Sequence, residues 1–506
     1  MKDLLVGLDI GTSSVKAGVF DSNGRKLASA SIPVEILAPQ PGWAEQDPQA
    51  WWQASRQALL QIAKNVQQER IGAIGLAGQC PSHVLVDVHG QAIGRAIIWR
   101  DRRAQAEADW IRQQISPDQA REYLGTETTW DAASPPARLL WLKALRPGDW
   151  KSAVAILQPK DYIALHLTGQ TATDLYSAYN LANPTTGEYA EGLFSNLGID
   201  LAKMPPLCKP IDRVGEVSGT ASQITGLPAG TPVIAGTIDA FCDTLAGGVA
   251  CPGRAVDVAG TSEIVSLEIK RKVTALGIFP WSLENQVTFL CGPMQAGGET
   301  LRWLARNFFP ESGENPDYSC LELEAGSVPP GSEGVVFLPY LDGERTPLWD
   351  ASARGCFYGL SFRHRRGHFL RAGYEGVAFA VRHVLELEEE ASGLPAEKIV
   401  ACGGGSLSDF WNQVKADVLK RPVYPTEYGE TGCLGAVILA SVGMQIYPNL
   451  IAASQAMVRL KEGVPPDLEQ ADVYDQGYER YRELYPALRN ISNLRVKRCS
   501  IAMKSN

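Results

Sequence analysis

No C-x-x-C pair occurs among the ten cysteines, which are scattered from Cys80 to Cys499. That excludes a zinc ribbon and a thioredoxin-type redox pair, and in a chain of 506 residues it leaves reduced, buried thiols as the expectation. Histidine is scarce, with six residues. His364 and His368 have a metal-like spacing, but Arg365, Arg366 and Gly367 stand between them; neighbouring cations oppose a metal, and the acid of an H-E-x-x-H helix is missing. There is no basic excess. The net charge is −9, which argues against a large nucleic-acid footprint, and the one basic run, Arg495, Lys497 and Arg498, reads as a frayed, solvated end. The N-terminus puts Asp3 and Asp9 around a short apolar run, which is not a signal peptide. The longest uncharged stretch, residues 431–458, is broken by Gly443, Gln445, Pro448, Asn449 and Gln455, so it reads as a buried helix rather than a membrane span. Three nucleotide and hydrolase signatures are absent as well: the Walker-type G-x-x-x-x-G-K-[ST], the dinucleotide G-x-G-x-x-G and the nucleophile elbow G-x-S-x-G.

What is present is ordinary globular stock, 45% hydrophobic and 20% charged, enough for two or three domains with a core that needs no staple. The chain opens strand, small polar turn, strand: an apolar run at 4–9, Gly11-Thr12-Ser13-Ser14, then alternation over 15–21 and an Asn23-Gly24 hairpin signal. Residues 48–67 read as a helix with Asp47 as N-cap and Pro48 in first position. An apolar strand ending in glycine follows at 71–78, then short strands at 84–87 and 96–99. The second half repeats the order: a strand at 255–259, Gly260-Thr261-Ser262, a strand at 264–269, a long helix near 368–391, and a strand at 398–402 closing on Gly403-Gly404-Gly405. Asp9 before the first turn mirrors Asp257 before the second. Two similarly built α/β domains facing one another are therefore expected, 1–248 and 249–506, the first enlarged by a mainly helical insertion over 104–207. Residues 310–334, rich in proline, glycine and acids, read as a loop or subdomain edge.

A tight turn of small residues between strands aims backbone N–H groups and hydroxyls at one point, which suits phosphate oxygens, and Lys16 can add a cation. Gly403-Gly404-Gly405-Ser406 sits between a strand and a helix at 409–420. Glycines there let the backbone approach a flat or charged ligand closely, and the adjoining helix N-terminus favours an anion.

These motifs, in this order, resemble the FGGY family of carbohydrate kinases, in the superfamily of actin, hexokinase and the large heat-shock ATPases. Residues 9–16 are similar to the family's first phosphate loop, 259–262 to the second, 401–409 to the adenosine loop, and 431–436 to the next nucleotide-side element. Residues 339–347, Pro-Tyr-Leu-Asp-Gly-Glu-Arg-Thr-Pro, and 354–361 resemble the xylulokinase branch. The resemblance implies two actin-like (ribonuclease H-like) ATPase domains with a deep cleft between them, ATP and Mg²⁺ as cofactors, a small-molecule sugar or polyol as partner, a cytoplasmic location and a homodimer. It implies no nucleic acid and no membrane. Gly11, Thr12, Ser13, Lys16, Gly260, Thr261, Gly403, Gly404, Gly405 and Ser406 would bind ATP. Asp239, after the apolar run 232–235, would take the proton from the sugar hydroxyl, and Asp9 would serve Mg²⁺ through water.

On the sugar side the sequence departs from the family. Xylulokinases carry Gln-Met-His-Gly after the strand matching 71–78, whereas this chain has Gln79-Cys80-Pro81-Ser82-His83, so Pro81 replaces the histidine. Trp99 and Asp101 keep the tryptophan and acid that line the sugar site, and glycerol kinase's Arg-Glu pair is absent. Gln79, Pro81, Ser82, His83, Trp99, Asp101 and Asp239 form the expected sugar site. If a strand follows Pro81, only one of Ser82 and His83 faces the ligand. A ketopentose, D-xylulose foremost, is the expected substrate; ribulose, another ketose or a polyol is the alternative. An actin- or chaperone-like ATPase without sugar kinase activity is the alternative of another class.

Overall fold

Two six-stranded mixed sheets organise the chain, one in each of two units. In the computed structural model, which describes residues 2–503 apart from 127, 271, 272, 274–276, 314 and 315, the first unit is Met1–Ala246 with Glu430–Met457, and the second is Gly247–Gly429 with Val458–Asn506.

In the first unit the opening apolar run forms the strand Leu4–Ile10, buried at every position. It lies antiparallel to Ser14–Asp21 and parallel to Ile71–Gly78. Covered on both faces, it is continuously apolar rather than alternating. The sheet order is Arg213–Glu216, Pro232–Ile238, Ile71–Gly78, Leu4–Ile10, Ser14–Asp21, Lys26–Pro33. The helix Pro48–Ala63 starts as its sequence signals, with the Asp47 side chain accepting from Gln49 N and proline in first position. Its Trp51, Ala58, Leu59 and Ile62 join Val6, Leu8 and Leu76 in the core.

The helix Thr431–Gly443 belongs to this unit too. Glycines make the approach possible. A Cβ on Gly7 would stand 2.0 Å from Cys433 O, one on Gly75 2.1 Å from Ala436 O, and one on Gly435 2.0 Å from Cys242 O. The uncharged run at 431–458, expected as one buried helix, instead holds two: Thr431–Gly443, which is buried and packs on the first sheet, and the half-buried Leu450–Met457. The packing boundary therefore differs from a C-terminal domain running unbroken over 249–506. Within 104–207 most of the ordered chain is helical, and Ile111, Leu124, Trp130, Trp141 and Phe194 give it a core of its own.

The second unit repeats the pattern. Arg254–Ala259 lies antiparallel to Glu263–Glu268 and parallel to Lys398–Cys402. The sheet order is Phe279–Leu283, Val287–Pro293, Glu263–Glu268, Arg254–Ala259, Lys398–Cys402, Val423–Pro425. The long helix Arg366–Ser392 ends at Gly393, whose φ of 68° suits a left-handed cap. The stretch read as a loop at 310–334 differs from expectation: it holds the helix Tyr318–Gly326, started by the Asp317 side chain accepting from Ser319 N. The C-terminal helix is Ala471–Met503; the side chains of Arg495, Lys497 and Arg498 lie outside the described residues. Among the described residues no helix is long and apolar enough to cross a membrane.

Candidate active site

The first unit gathers three carboxylates around one ammonium group. Asp9 and Lys16 face each other across the antiparallel pair. Asp239 opens the helix Asp239–Ala246 directly after the strand Pro232–Ile238. Asp243 follows one turn later on the same face, which an acid pair at i and i+4 in the sequence could have signalled. The start of the helix Thr431–Gly443 meets this cluster. Thr431 Oγ1 donates to Asp243 Oδ1 at 2.5 Å, and Gly432 lies so close that an added Cβ would be 2.7 Å from Asp9 Oδ2. A helix N-terminus favours such anions.

The charges perturb one another strongly. Burial pushes the Asp9 carboxyl up to about 7, opposed by Lys16 and aided by Asp243. Burial, then the negative charges of Asp9 and Asp243, push Asp239 up to about 8. Part of Asp239 remains accessible, so its neighbours matter there as well as desolvation. Burial also raises Asp243, against the pull of Thr431 and Lys16. Burial would lower Lys16, yet Asp9 and Asp243 hold it above its usual value. Asp9 is 6% exposed, and its Oδ1 has no hydrogen-bond partner among the described residues. An orphaned, buried carboxylate oxygen in so anionic a cluster fits a further cation. Among the described residues no three His, Cys, Asp or Glu side chains converge as direct metal ligands.

The first turn is tied to the expected sugar residues by a chain of hydrogen bonds. Gly11 N donates to Ser14 O, and Ser13 O accepts from Val34 N. Trp99 Nε1 donates to Thr12 Oγ1 at 2.8 Å. Gln46 Nε2 donates to Thr12 O at 2.8 Å, and Gln46 Oε1 accepts from Trp51 Nε1 and from Gln79 Nε2. Ser82 Oγ contacts Gln79 Oε1, while Ser82 N donates to Gln158 Oε1. Both Ser82 and His83 are buried. Burial and the nearby Arg138 push the His83 imidazole down to about 3, which keeps it neutral. Arg138 Nη1 donates to Pro81 O at 2.7 Å.

The Asp101 carboxylate is held by protein donors. It is fully buried, and its carboxylate accepts from Ala44 N and from Arg103 N, Nε and Nη2. It fixes Arg103, whose guanidinium lies 3.6 Å over the Trp43 ring and pairs with Glu45.

In the second unit Gly260 N donates to Ser262 O, closing the second turn. The helix Gly298–Phe308 meets that turn end-on, with Gly298 N donating to Gly260 O and Glu299 N to Thr261 O. The glycines after the strand Lys398–Cys402 divide in function. A Cβ on Gly403 would strike Ala259 O at 2.7 Å, and one on Gly405 would meet Ala259 Cβ and the Trp411 ring at 2.6 Å. A Cβ on Gly404 would meet nothing within 4 Å among the described residues, so of these three glycines it is Gly404 that presents open backbone. Ser406 Oγ donates to Gly403 O at 2.8 Å and shapes the loop from within. Asp257, the sequence mirror of Asp9, is sealed: Lys415 Nζ lies 2.6 Å from Asp257 Oδ2 and 2.6 Å from Glu263 Oε1.

Two α/β units, each with a hairpin turn suited to phosphate, an acidic cluster at a strand end in one and a glycine loop before a helix in the other, define a phosphotransferase of the actin-like ATPase fold. The chain belongs to the FGGY family of carbohydrate kinases: the family's N-terminal domain matches residues 4–246 and its C-terminal domain residues 255–444. It is 29% identical to the xylulose kinase of Bacillus subtilis over 496 residues, covering 96% of this chain and 98% of that one. It is 30% identical to the L-xylulose/3-keto-L-gulonate kinase of Escherichia coli, covering 98% and 99%. The crystal structure of xylulose kinase from Rhodospirillum rubrum superposes with a TM-score of 0.82 at 30% identity, over 97% of this chain and all of that one.

Proposed function

We propose that the chain transfers the γ-phosphoryl group of ATP to a hydroxyl of a ketopentose, with xylulose as the sugar and Mg²⁺ as the metal. The observation that carries this reading is the cluster of Asp239, Asp9 and Asp243 around Lys16 at the end of the strand Pro232–Ile238. Full-length relatives named xylulose kinase support the choice of sugar.

In this reading Asp239 accepts the proton of the attacked hydroxyl. Its carboxyl is raised by burial and then by the neighbouring negative charges, so added positive charge in the cluster favours the ionised form a base needs. Asp9, with its unpartnered Oδ1, holds hydrated Mg²⁺. When bound, the metal neutralises charge on the transferring phosphoryl group. Gly11, Thr12, Ser13 and Lys16 of the first unit and Gly260 and Thr261 of the second take phosphate oxygens, and the open Gly404 admits the adenosine. Gln79, Trp99 and the backbone around Pro81 shape the sugar pocket, held by Gln46, Gln158 and Arg138. The enzyme acts in the cytoplasm, as a homodimer.

A second reading, another ketose or an acidic sugar, is favoured by Pro81, which stands where the xylulokinase branch has its histidine, and by the relative that takes its name from L-xylulose and 3-keto-L-gulonate. Sugar-dependent ADP release across D-xylulose, L-xylulose, D-ribulose, gluconate and glycerol tests both. D-xylulose is expected to give the highest kcat/KM. A flat response overturns the kinase reading, and preference for another sugar overturns the substrate.

A further inference from the structure

The segment at 339–347 has no part in the roles assigned above, yet it braces the second phosphate turn. Glu344, 3% exposed, accepts from the backbone N–H groups of Gln295, Ala296 and Arg345. Thr346 N donates to Pro293 O at 3.0 Å. Arg345 Nη2 donates to Met294 O and reaches Ser262 Oγ at 3.4 Å. Residues 294–299 are in turn laced to the turn itself. Met294 N donates to Glu263 O and Glu263 N to Ala296 O, while Gly298 N and Glu299 N donate to Gly260 O and Thr261 O. Arg345 therefore touches both the turn and the segment that supports it.

Charge gives this placement a purpose. The strands flanking the turn carry Asp257 and Glu263, which share the single ammonium of Lys415. Two carboxylates on one cation leave the ground beneath the turn negative, or hold a proton there; burial and Asp257 push the Glu263 carboxyl up to about 8. A polyphosphate approaching such a turn needs positive charge close by. Arg345 supplies it on a planar group that can hold a hydroxyl and a carbonyl together, which a lysine ammonium does less rigidly.

We propose that Arg345 is a positioning residue of the nucleotide site: its guanidinium fixes the Ser262 hydroxyl and the Met294 carbonyl and gives the turn 260–262 the positive charge that the ATP phosphates require. This rests on the reading that the turn takes ATP phosphates.

Arg345→Met, Arg345→Lys, Ser262→Ala and the double variant test it, with kcat and the KM values for ATP and sugar measured separately. Arg345→Met should lower kcat/KM for ATP by ~10²-fold, the usual loss for one electrostatic donor, with the sugar KM unchanged. Lysine should recover part of that loss. Ser262→Ala should move the same parameter by less, and the double variant should fall short of the product of the singles. Guanidinium ion added to Arg345→Ala should restore part of the activity. An unchanged ATP dependence, a loss spread equally over ATP and sugar without guanidinium rescue, or fully multiplicative singles would each overturn the proposal. If Arg345→Met does not fold, Ser262→Ala and Arg345→Lys still decide it. If the wild-type chain shows no sugar-dependent ADP release, the kinase reading fails on its own; calorimetric ADP binding to wild type and Arg345→Lys then decides the role of Arg345, with equal affinity overturning it.

Discussion

Thr237 donates its hydroxyl to Asp174 Oδ1 at 2.7 Å, two residues before Asp239. The same carboxylate accepts from Tyr176 N and Ser177 N, and its Oδ2 lies 3.0 Å from Lys160 Nζ, which also holds Asp161 at 2.6 Å. Lys160, Asp161 and Asp174 are all buried. The strand that delivers Asp239 is thus anchored to a sealed ion cluster on the helix Pro159–Thr168 and the strand Thr173–Asp174.

Lys160→Met should therefore be severe. It leaves two buried carboxylates without their cation, a loss of ~3–5 kcal/mol. Thr237→Val removes one donor to a buried carboxylate and should cost ~1–3 kcal/mol, with a fall in kcat because the end of the strand loses its anchor. Urea unfolding and steady-state kinetics on both variants check this. A Lys160→Met protein as stable as wild type would show that the cluster is not needed for the fold.

Asp239→Asn keeps the shape of the side chain and removes the proposed base. It should lower kcat by ~10²–10⁴, the usual share of a general base, with ADP affinity by calorimetry unchanged. Near-wild-type turnover would remove Asp239 from the chemistry.

Much of this was legible in the sequence. The strands at 71–78 and 398–402 match their segments, because apolar runs bounded by glycine leave little else to form. The hairpin turns follow from small-residue spacing, and the place of Asp239 at a strand end follows from the apolar run before it. What escaped depended on parity and on long range. Asp9 stands two residues before Gly11, and Asp257 three before Gly260. In an alternating strand that difference turns the two acids to opposite faces, so one meets Lys16 and the other is sealed by Lys415. Lys415 and Arg345 are each far along the chain from the acids or the turn they contact, and no local pattern announces such pairs. Asp101 enters the expected sugar site through the family likeness, and its pairing with Arg103 shows only in three dimensions.

The raised carboxyls make a prediction about pH. Asp9 titrates near 7 in the folded chain against an ordinary value of 3.8. Between those values the unfolded chain has released its proton and the folded chain has not, so stability falls as pH rises through that window and levels off above it. Asp9→Asn removes this penalty. It should be more stable than wild type by ~1–3 kcal/mol at pH 8, with the advantage gone at about pH 3, where both states are largely protonated. Its kinase activity should be lost. Urea melts at the two pH values check it; a stability difference that does not change with pH would contradict the raised carboxyl.

The last prediction separates ligand contact from loop construction at Gly403–Ser406. Gly404 has open space where a Cβ would point, so Gly404→Ala should leave stability within about 0.5 kcal/mol of wild type while raising the KM for ATP several-fold, because the methyl group would occupy the face that adenosine needs. Gly405 is different. Its added Cβ would lie 2.6 Å from Ala259 Cβ and 2.6 Å from the Trp411 ring, an overpacking that costs ~1–3 kcal/mol. Gly405→Ala should therefore lower stability, with any change in ATP affinity following from the displaced loop. Thermal melts and ATP titration of the two variants distinguish them. A Gly404→Ala protein with wild-type ATP dependence would mean that this loop does not receive the nucleotide base.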